Sequence, residues 1–209
     1  MYDDEFELTF DLSDEDKASR VPEPEQEPVQ EAAPEPAAET EPAAETEPPV
    51  ELVPGPAVPA ANGRCVLISG GDRGIGAAAA RAFWQAGYRV AVLYHTHAEA
   101  AAALEKALPG LLAVQCDVAS RASCEVAFHT VEQAVGHVDV LVSNAGIAQQ
   151  KLFTDITPEE WQHMLDVNLS GAFHLCQLAL PGMIRRKAGR ILTVSSMWGQ
   201  TGGSCEVHY

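Results

Sequence analysis

The chain has 209 residues and a formal net charge of −17, and its acidic residues are concentrated in its first third. Residues 1–62 carry 18 of the 30 acidic residues against two bases, Lys17 and Arg20, whereas residues 63–209 have a net charge of −1. No stretch approaches the roughly 20 apolar residues that span a bilayer, and the acidic N-terminus is unlike a secretory signal. These features argue against a membrane or secreted protein. We expect a cytoplasmic protein with no membrane or nucleic-acid partner.

The cysteines and histidines show no spacing typical of a disulfide framework or a metal site. The five cysteines are odd in number, scattered, and include no CxxC pair: Cys65, Cys116, Cys124, Cys176 and Cys205. Zinc sites normally combine closely spaced Cys and His ligands. We therefore expect reduced thiols and no metal.

The acidic first third is rich in proline and contains a repeat. Eleven of the 14 prolines precede residue 63, and "EPAAETEPAAET" repeats a six-residue unit from Glu35 to Thr46. Because proline blocks helix formation and like charges oppose collapse, we predict an extended, solvated linker over residues 13–60. The first dozen residues alternate acids with apolar side chains, which suits either a docking peptide or a disordered, solubilising terminus. The chain thus divides into a disordered acidic tail, 1–62, and a folded domain, 63–209.

Residues 63–209 alternate between short apolar runs and helical patterns. In chain order we predict strands at 64–69, 88–94, 111–118, 137–146 and 189–196, separated by helices at 74–87, 98–110, 120–136 and 158–187. Thr157 is the expected N-cap of the last helix, Pro158 its first residue, and Pro181 should bend it. Strands that are hydrophobic on both faces and alternate with helices indicate an α/β fold, a doubly wound parallel sheet of the Rossmann type.

The first strand-to-helix turn, "SGGDRGIG", has the glycine spacing of a dinucleotide site. Its glycines permit a tight turn and a close approach of the backbone to a pyrophosphate, and the following helix offers unpaired N–H groups. A merely structural turn is the alternative. The motif predicts that the cofactor contacts Ser69, Gly70, Asp72, Arg73, Gly74, Ile75 and Gly76.

The segment after the second strand indicates which dinucleotide is bound. NAD enzymes usually place an acid there to hold the ribose hydroxyls, but this segment reads Tyr94-His95-Thr96-His97, with no acid before Glu99. The planar fork of Arg73 suits a 2′-phosphate, although it is also an ordinary solvated loop cation. We therefore predict NADP, with Tyr94 among the cofactor-binding residues and with His95 and His97 beside the adenosine ribose.

Several motifs in order resemble the short-chain dehydrogenase/reductases from Arg64 to Tyr209. They are the glycine turn, "CDV" at 116–118, "SNAG" at 143–146, "VNLSG" at 167–171, and a serine that precedes a tyrosine. The "RGIG" and "VNLSG" elements look most like NADPH-dependent 3-oxoacyl-acyl-carrier-protein reductases. A narrower resemblance, in "SSMWGQTGGSCEVHY", is to reductases of 5-aminopentanone-modified elongation factor P. The resemblance implies a ketone reductase that acts on a small-molecule, carrier-borne or protein-borne substrate and assembles as a homo-oligomer.

The resemblance also assigns roles to individual residues. Asp117 and Val118 would flank the adenine ring, and Asn144, Ala145 and Gly146 would shape the floor of the cofactor site. Asn168 would hold a water of a proton relay. The alternative for Asn168 is a core asparagine bonded to nearby backbone.

Ser196 and Tyr209 are the expected chemical pair. Reducing a ketone requires a proton on oxygen, which Tyr209 would donate while Ser196 orients the carbonyl. The family places a lysine four residues after its tyrosine to lower the tyrosine pKa, a position beyond this sequence. We expect residues 1–209 to be a C-terminally incomplete fragment that lacks turnover, binds NADPH weakly at best and is poorly soluble. The rival hypothesis is a non-catalytic scaffold that works through its acidic tail.

Overall fold

The computed structural model describes residues 62–209. The expectations for the linker at 13–60 and for the N-terminal peptide fall outside this range.

The described residues form five strands and six α-helices in alternating order. In chain order they are β1 (Cys65–Ser69), α1 (Gly74–Gln85), β2 (Arg89–Tyr94), α2 (Ala98–Ala107), β3 (Leu112–Gln115), α3 (Arg121–Val135), β4 (Val140–Ser143), α4 (Pro158–Leu165), α5 (Gly171–Arg186), β5 (Arg190–Thr193) and α6 (Trp198–Thr201). A 3₁₀ turn, Phe153–Asp155, precedes α4, and a π-helical turn, Asp166–Ser170, joins α4 to α5.

All five strands are parallel, in the order β3-β2-β1-β4-β5. The chain moves from β1 outward to β3 and then crosses to the other side of β1 for β4. The strand order therefore reverses between β1 and β4, and ligands of such sheets bind outside the carboxyl ends of the strands at this point. The predicted doubly wound parallel sheet is confirmed.

Two apolar layers cover the sheet. Leu67 and Leu141 face Val131 of α3 and Leu175 of α5, while Val66 and Ile68 belong to the opposite layer with Trp84 of α1 and Leu104 of α2. All five residues of β1 are buried, as expected of a central strand covered on both faces. Burying each such aliphatic side chain contributes about 1.5–3 kcal/mol of transfer free energy.

The strands end earlier than the sequence suggests because polar side chains at their carboxyl ends form local turns. The Asp117 carboxylate accepts a hydrogen bond from the Ala119 amide at 3.0 Å, so β3 stops short of the predicted 118. After β4, the Asn144 and Ala145 amides donate to the Ser69 hydroxyl rather than to the sheet. Asp117, Asn144 and Ala145, which make these bonds instead of pairing in the sheet, are residues predicted to bind the cofactor.

The predicted helix at 158–187 is continuous in helical backbone but not uniform. Thr157 and Glu160 form a reciprocal cap in which each side chain accepts from the other's amide, and Pro158 is the first helical residue, as predicted. The π-helical turn interrupts the α-helical pattern at Asp166–Ser170. Helix α5 continues through Pro181 and ends at Arg186, where Lys187 adopts a left-handed conformation with φ 53°.

No helix within residues 62–209 is both long enough and apolar enough to cross a membrane.

Candidate active site

The glycine turn brings the start of α1 against the carboxyl end of β1. Gly70 and Gly74 have φ values of +60° and +52°, which L side chains rarely adopt. A Cβ on Gly76 would collide with the carbonyl oxygen of Gly70. The N-cap residue, Arg73, makes no side-chain capping bond, and the first turn of α1 contains no acid. The first amides of α1 thus lack a side-chain acceptor and can bind a phosphate.

Ser69 and Asn144 join the turn after β1 to the turn after β4. The Ser69 hydroxyl accepts from the Asn144 and Ala145 amides at 3.0 and 3.1 Å. In return, the Asn144 side-chain amide donates to the carbonyl oxygens of Ser69 and Gly70 at 3.0 and 2.9 Å. These four bonds cross the point where the strand order reverses, and they fix the two turns relative to each other.

A cavity of about 370 Å³ lies at the carboxyl ends of the strands. Twelve of the 14 predicted cofactor-binding residues line it: Gly70, Asp72, Arg73, Gly74, Ile75, Tyr94, His95, Asp117, Val118, Asn144, Ala145 and Gly146. Ser69 and Gly76 are buried next to this lining and shape the turn instead. The fold therefore gathers these residues, which are spread over almost 80 positions of the sequence, around one space.

His97, expected beside the adenosine ribose, also lines the cavity, and sequence reasoning missed six further residues of the lining: Leu93, Thr96, Cys116, Ile147, His163 and Val167. Four of the six directly adjoin predicted positions, so extending each motif by one residue would have found Leu93, Thr96, Cys116 and Ile147. His163 and Val167 come from α4 and the π-helical turn. Val167 belongs to the "VNLSG" motif and adjoins Asn168, whereas no motif in the sequence indicates that His163 reaches the cavity.

Asp72 presents a buried, unsatisfied acceptor to the cavity. Its side chain is only 6% exposed, its Oδ2 atom has no hydrogen-bond partner, and the Nδ1 atom of His97 lies 3.5 Å from it. Buried polar atoms are normally hydrogen-bonded, so an O–H donor in the cavity would complete this group. Arg73, next in sequence, is exposed. The open glycine turn and the unsatisfied acceptor both fit the phosphates and sugar of a dinucleotide.

The Asn168 side chain is bonded to neighbouring backbone. Its Oδ1 accepts from the Ile147 amide at 2.8 Å, and its Nδ2 donates to the Ile147 carbonyl at 2.9 Å and contacts the Met164 sulfur at 3.0 Å. These contacts match the alternative reading of a core asparagine. They anchor the segment after β4 to the π-helical turn, and a role for Asn168 in a water relay stays a prediction.

Ser196 and Tyr209 do not line the cavity at the carboxyl ends of the strands. Ser196 lies three residues beyond β5, where its hydroxyl accepts from the Trp198 amide at 3.2 Å. Tyr209 lines a second cavity of about 440 Å³ together with Trp198 and Glu206. No hydrogen bond within residues 62–209 joins Ser196 to Tyr209. Their catalytic roles stay predictions.

The segment that carries Tyr209 is nonetheless held against the loop after β4. The Lys151 amide donates to the Cys205 carbonyl at 2.7 Å, and the His208 ring contacts the Gln149 side-chain oxygen at 2.9 Å. His208 is 4% exposed. The end of the described chain therefore lies beside the loop that also contributes Ala145 and Gly146 to the cavity. No group of three or more metal-ligating side chains occurs within residues 62–209.

Comparison with known proteins agrees with this architecture. Residues 64–209 match the family model for short chain dehydrogenases. The chain is 39% identical to an acetoacetyl-CoA reductase of Shinella zoogloeoides and 40% identical to one of Rhizobium meliloti (strain 1021). Each alignment extends over 146 residues and covers 70% of this chain and 60% of the relative. It is 38% identical to the 3-oxoacyl-[acyl-carrier-protein] reductase MabA of Mycobacterium tuberculosis (strain ATCC 25618 / H37Rv), covering 56% of that protein.

The chain thus spans less than two thirds of the length of these relatives. The matched region contains the glycine turn, the parallel sheet and the cavity, and it extends to Tyr209. The chain belongs to the short-chain dehydrogenase family, and the relatives that it matches include acetoacetyl-CoA reductases and 3-oxoacyl-[acyl-carrier-protein] reductases.

Proposed function

We propose that the cavity at the carboxyl ends of the strands binds NADP(H) and that the protein reduces the ketone of a 3-oxoacyl thioester. The observation that carries the proposal is the convergence of the glycine turn and three further strand-end turns on one cavity at the reversal point of the sheet. Relatives that reduce acetoacetyl-CoA and 3-oxoacyl-[acyl-carrier-protein] supply the substrate class.

Within this proposal each wall of the cavity holds one part of the dinucleotide. The free amides at the start of α1 bind the pyrophosphate, Asp117 and Val118 flank the adenine, and Asn144 to Gly146 form the floor. The bound cofactor supplies a hydride to the carbonyl carbon. Ser196 orients the carbonyl oxygen, and the Tyr209 phenol gives its proton to that oxygen as negative charge develops there.

Two neighbouring residues favour opposite cofactors. Arg73 is exposed at the rim, where its guanidinium can pair with a 2′-phosphate in a bidentate manner. Asp72 is buried and has an acceptor oxygen without a hydrogen-bond partner, and a carboxylate can bind ribose hydroxyls, although NAD enzymes usually place that carboxylate after the second strand. We favour NADP(H), because Arg73 lines the cavity and no acidic residue follows β2 before Glu99.

Fluorescence titration with NADPH and NADH tests the choice of cofactor. For protein expressed from the complete gene, we expect tighter binding of NADPH, and we expect Arg73→Ala to weaken NADPH binding about tenfold or more while leaving NADH unchanged. Arg81→Ala, an exposed arginine of α1 outside the cavity, is the matched control. Tighter binding of NADH, abolished by Asp72→Asn, would instead establish an NAD enzyme.

Steady-state assays of the same protein test the substrate. We expect NADPH-dependent reduction of acetoacetyl-CoA or acetoacetyl-acyl-carrier-protein and at least about a hundredfold loss of kcat in Tyr209→Phe, since general acid catalysis contributes roughly that much. Turnover of 5-aminopentanone-modified elongation factor P alone would replace the thioester with that substrate. Unchanged cellular function of Tyr209→Phe would favour the scaffold hypothesis.

A further inference from the structure

Two buried cysteines lie in contact beside the candidate cofactor cavity. Cys116 directly follows β3, and Cys124 lies in the first turn of α3. Their sulfur atoms are 4.0 Å apart. Cys116 is 3% exposed and lines the cavity, while Cys124 is fully buried. The proposed dehydrogenase chemistry uses neither thiol.

The pair is connected to the segment expected to flank the adenine. The Cys124 thiol donates to the Val118 carbonyl oxygen, with a distance of 3.5 Å. The Ser123 hydroxyl accepts from the Asp117 amide at 3.0 Å and lies 3.8 Å from the Cys116 sulfur, to which it donates. A change in either sulfur therefore acts on the backbone of Asp117 and Val118.

The surroundings give the two thiols different acidities. The contact with the Cys124 sulfur, and then the hydrogen bond from the Ser123 hydroxyl, lower the pKa of Cys116. The same contact between the sulfurs, and burial, raise the pKa of Cys124. Burial, more than the nearby charges of Arg89, Asp139 and Glu132, raises the pKa of Cys65, on β1, to about 11. Since the thiolate is the nucleophile, the pair has the arrangement of an attacking and a resolving cysteine.

We propose that Cys116 and Cys124 form a reversible disulfide on reaction with a hydroperoxide, and that this bond weakens binding of the dinucleotide. The Cys116 thiolate attacks the peroxide oxygen, which breaks the O–O bond and leaves Cys116 as a sulfenic acid and the second oxygen as water after protonation. The Cys124 sulfur then attacks the sulfenic sulfur, the S–S bond forms, and a second water leaves. Two thiols and one hydrogen peroxide give one disulfide and two waters, so the peroxide accepts both electrons. Cellular dithiols reverse the bond by exchange.

The geometry gives the reason for the effect on binding. The sulfurs must approach from 4.0 Å to about 2.05 Å, which draws Cys116 and the start of α3 together. Oxidation also removes the thiol proton that Cys124 donates to Val118. Formation of the bond is independent of the proposed function, whereas its effect on affinity rests on the proposed cofactor site.

Peptide mapping tests bond formation directly. Trypsin cleaves after Lys106, Arg121 and Lys151, so Cys116 and Cys124 fall in separate peptides, 107–121 and 122–151. After treatment of the protein from the complete gene with hydrogen peroxide and alkylation of free thiols, we expect these peptides to be joined, with a mass about 2 Da below their sum. Cys65 should remain alkylatable once the protein is unfolded. Dithiothreitol should separate the two peptides.

Variants and cofactor titration test the consequence. Oxidation should raise the Kd for NADPH roughly three- to tenfold in the wild type and in the control Cys176→Ser, but not in Cys124→Ser. Because the coupling is reciprocal, saturating NADPH should in turn slow formation of the joined peptide. If Cys124→Ser does not fold, dithiothreitol reversal of the wild-type shift replaces it.

Each failure has a distinct meaning. Separate peptides after peroxide treatment, with Cys116 unmodified or trapped as a sulfenic acid, would disprove the disulfide. A joined peptide with unchanged NADPH affinity would disprove the effect on binding and leave the proposed function intact. A joined peptide in a protein that binds no nicotinamide dinucleotide in either state would disprove the proposed cofactor site, and the effect on affinity with it.

Discussion

At Gly76, a hydrogen in place of a methyl group allows α1 to begin directly against the loop after β1. In Gly76→Ala the new Cβ would meet the Gly70 carbonyl oxygen, a backbone atom that cannot rotate away. We expect a loss of about 1–3 kcal/mol in the free energy of unfolding and loss of NADPH binding, because the turn must open. Urea unfolding and fluorescence titration measure the two effects.

Gly199→Ala is the matched control for this substitution. A Cβ at Gly199, in α6, meets no atom within 4 Å, and its backbone is not left-handed. Its stability should equal that of the wild type. Wild-type binding and stability in Gly76→Ala would show that the close approach of Gly70 and Gly76 is not required.

Ser69 provides a second prediction at this scale. Its hydroxyl is the acceptor for two amides of the turn after β4, so Ser69→Ala leaves the Asn144 and Ala145 amides without it. We expect a loss of about 1–3 kcal/mol in the free energy of unfolding and weaker cofactor binding. Ser204→Ala, at an exposed serine, should change neither. Equal stabilities of the two variants in urea would contradict this role.

The sequence predicts the conformation of some site residues but not the distant partners of others. Glycine spacing after an apolar run predicts the turn at 70–76, because only glycine tolerates such backbone and such contacts. The partners of Ser69 are about 75 positions away, and no local pattern encodes that pairing. The same holds for Asp72 and His97, which come from different loops and meet only after the sheet has formed.

At the scale of elements, the cap of α4 also fastens the loop after β4. The Glu160 carboxylate accepts from the Thr157 amide, the Gln149 side chain and the Lys151 ammonium. Sequence reasoning predicted Thr157 and Pro158 as the start of the helix but not these bonds to the loop, which depend on its folded path. The π-helical turn around Asn168 was likewise unforeseen, since the apolar pattern there fits an ordinary α-helix.

This cap predicts a specific dependence on pH. Hydrogen bonds from Lys151, then Thr157 and Gln149, lower the pKa of Glu160 from 4.5 to about 2. A carboxyl with a lowered folded-state pKa stabilises the fold above its ordinary pKa, and this stability is lost as the pH falls from about 4.5 toward 2. Urea unfolding across this range should show a smaller loss of stability in Glu160→Gln than in the wild type. Glu159→Gln, at the neighbouring exposed glutamate, should follow the wild type; parallel curves for all three proteins would contradict the assignment.

At the scale of the whole molecule, an apolar stripe along the π-helical turn and α5 supports the expected homo-oligomer. Leu169, Phe173, Leu180 and Ile184 recur at helical spacing and are 65%, 59%, 42% and 68% exposed. Apolar surface of this kind marks association sites. For protein from the complete gene, sedimentation equilibrium should show an oligomer that Phe173→Asp with Ile184→Asp dissociates. Val126→Asp, at a 70% exposed position of α3, should leave assembly unchanged; a monomeric wild type would contradict the proposal.

The order of strands and helices, and hence the fold, follows from the apolar patterns because each strand is buried on both faces and each helix must cover the sheet. The apolar patterns overestimate the length of the strands. Asp117 and Asn144 directly follow apolar residues and fall within the predicted strands, but in the structure they form turns. The positions of Ser196 and Tyr209 relative to the cavity depend on the path of the chain after β5. The sequence of this segment has no hydrophobic periodicity from which that path could be predicted.

A crystal structure of the protein from the complete gene with NADPH would show directly whether the cavity at the carboxyl ends of the strands binds the dinucleotide. The pyrophosphate should lie at the start of α1, the adenine between Asp117 and Val118, and the 2′-phosphate beside Arg73. The nicotinamide should approach the segment that carries Ser196 and Tyr209. A dinucleotide bound elsewhere, or a cavity that stays empty at a saturating concentration of NADPH, would show that this cavity is not the cofactor site.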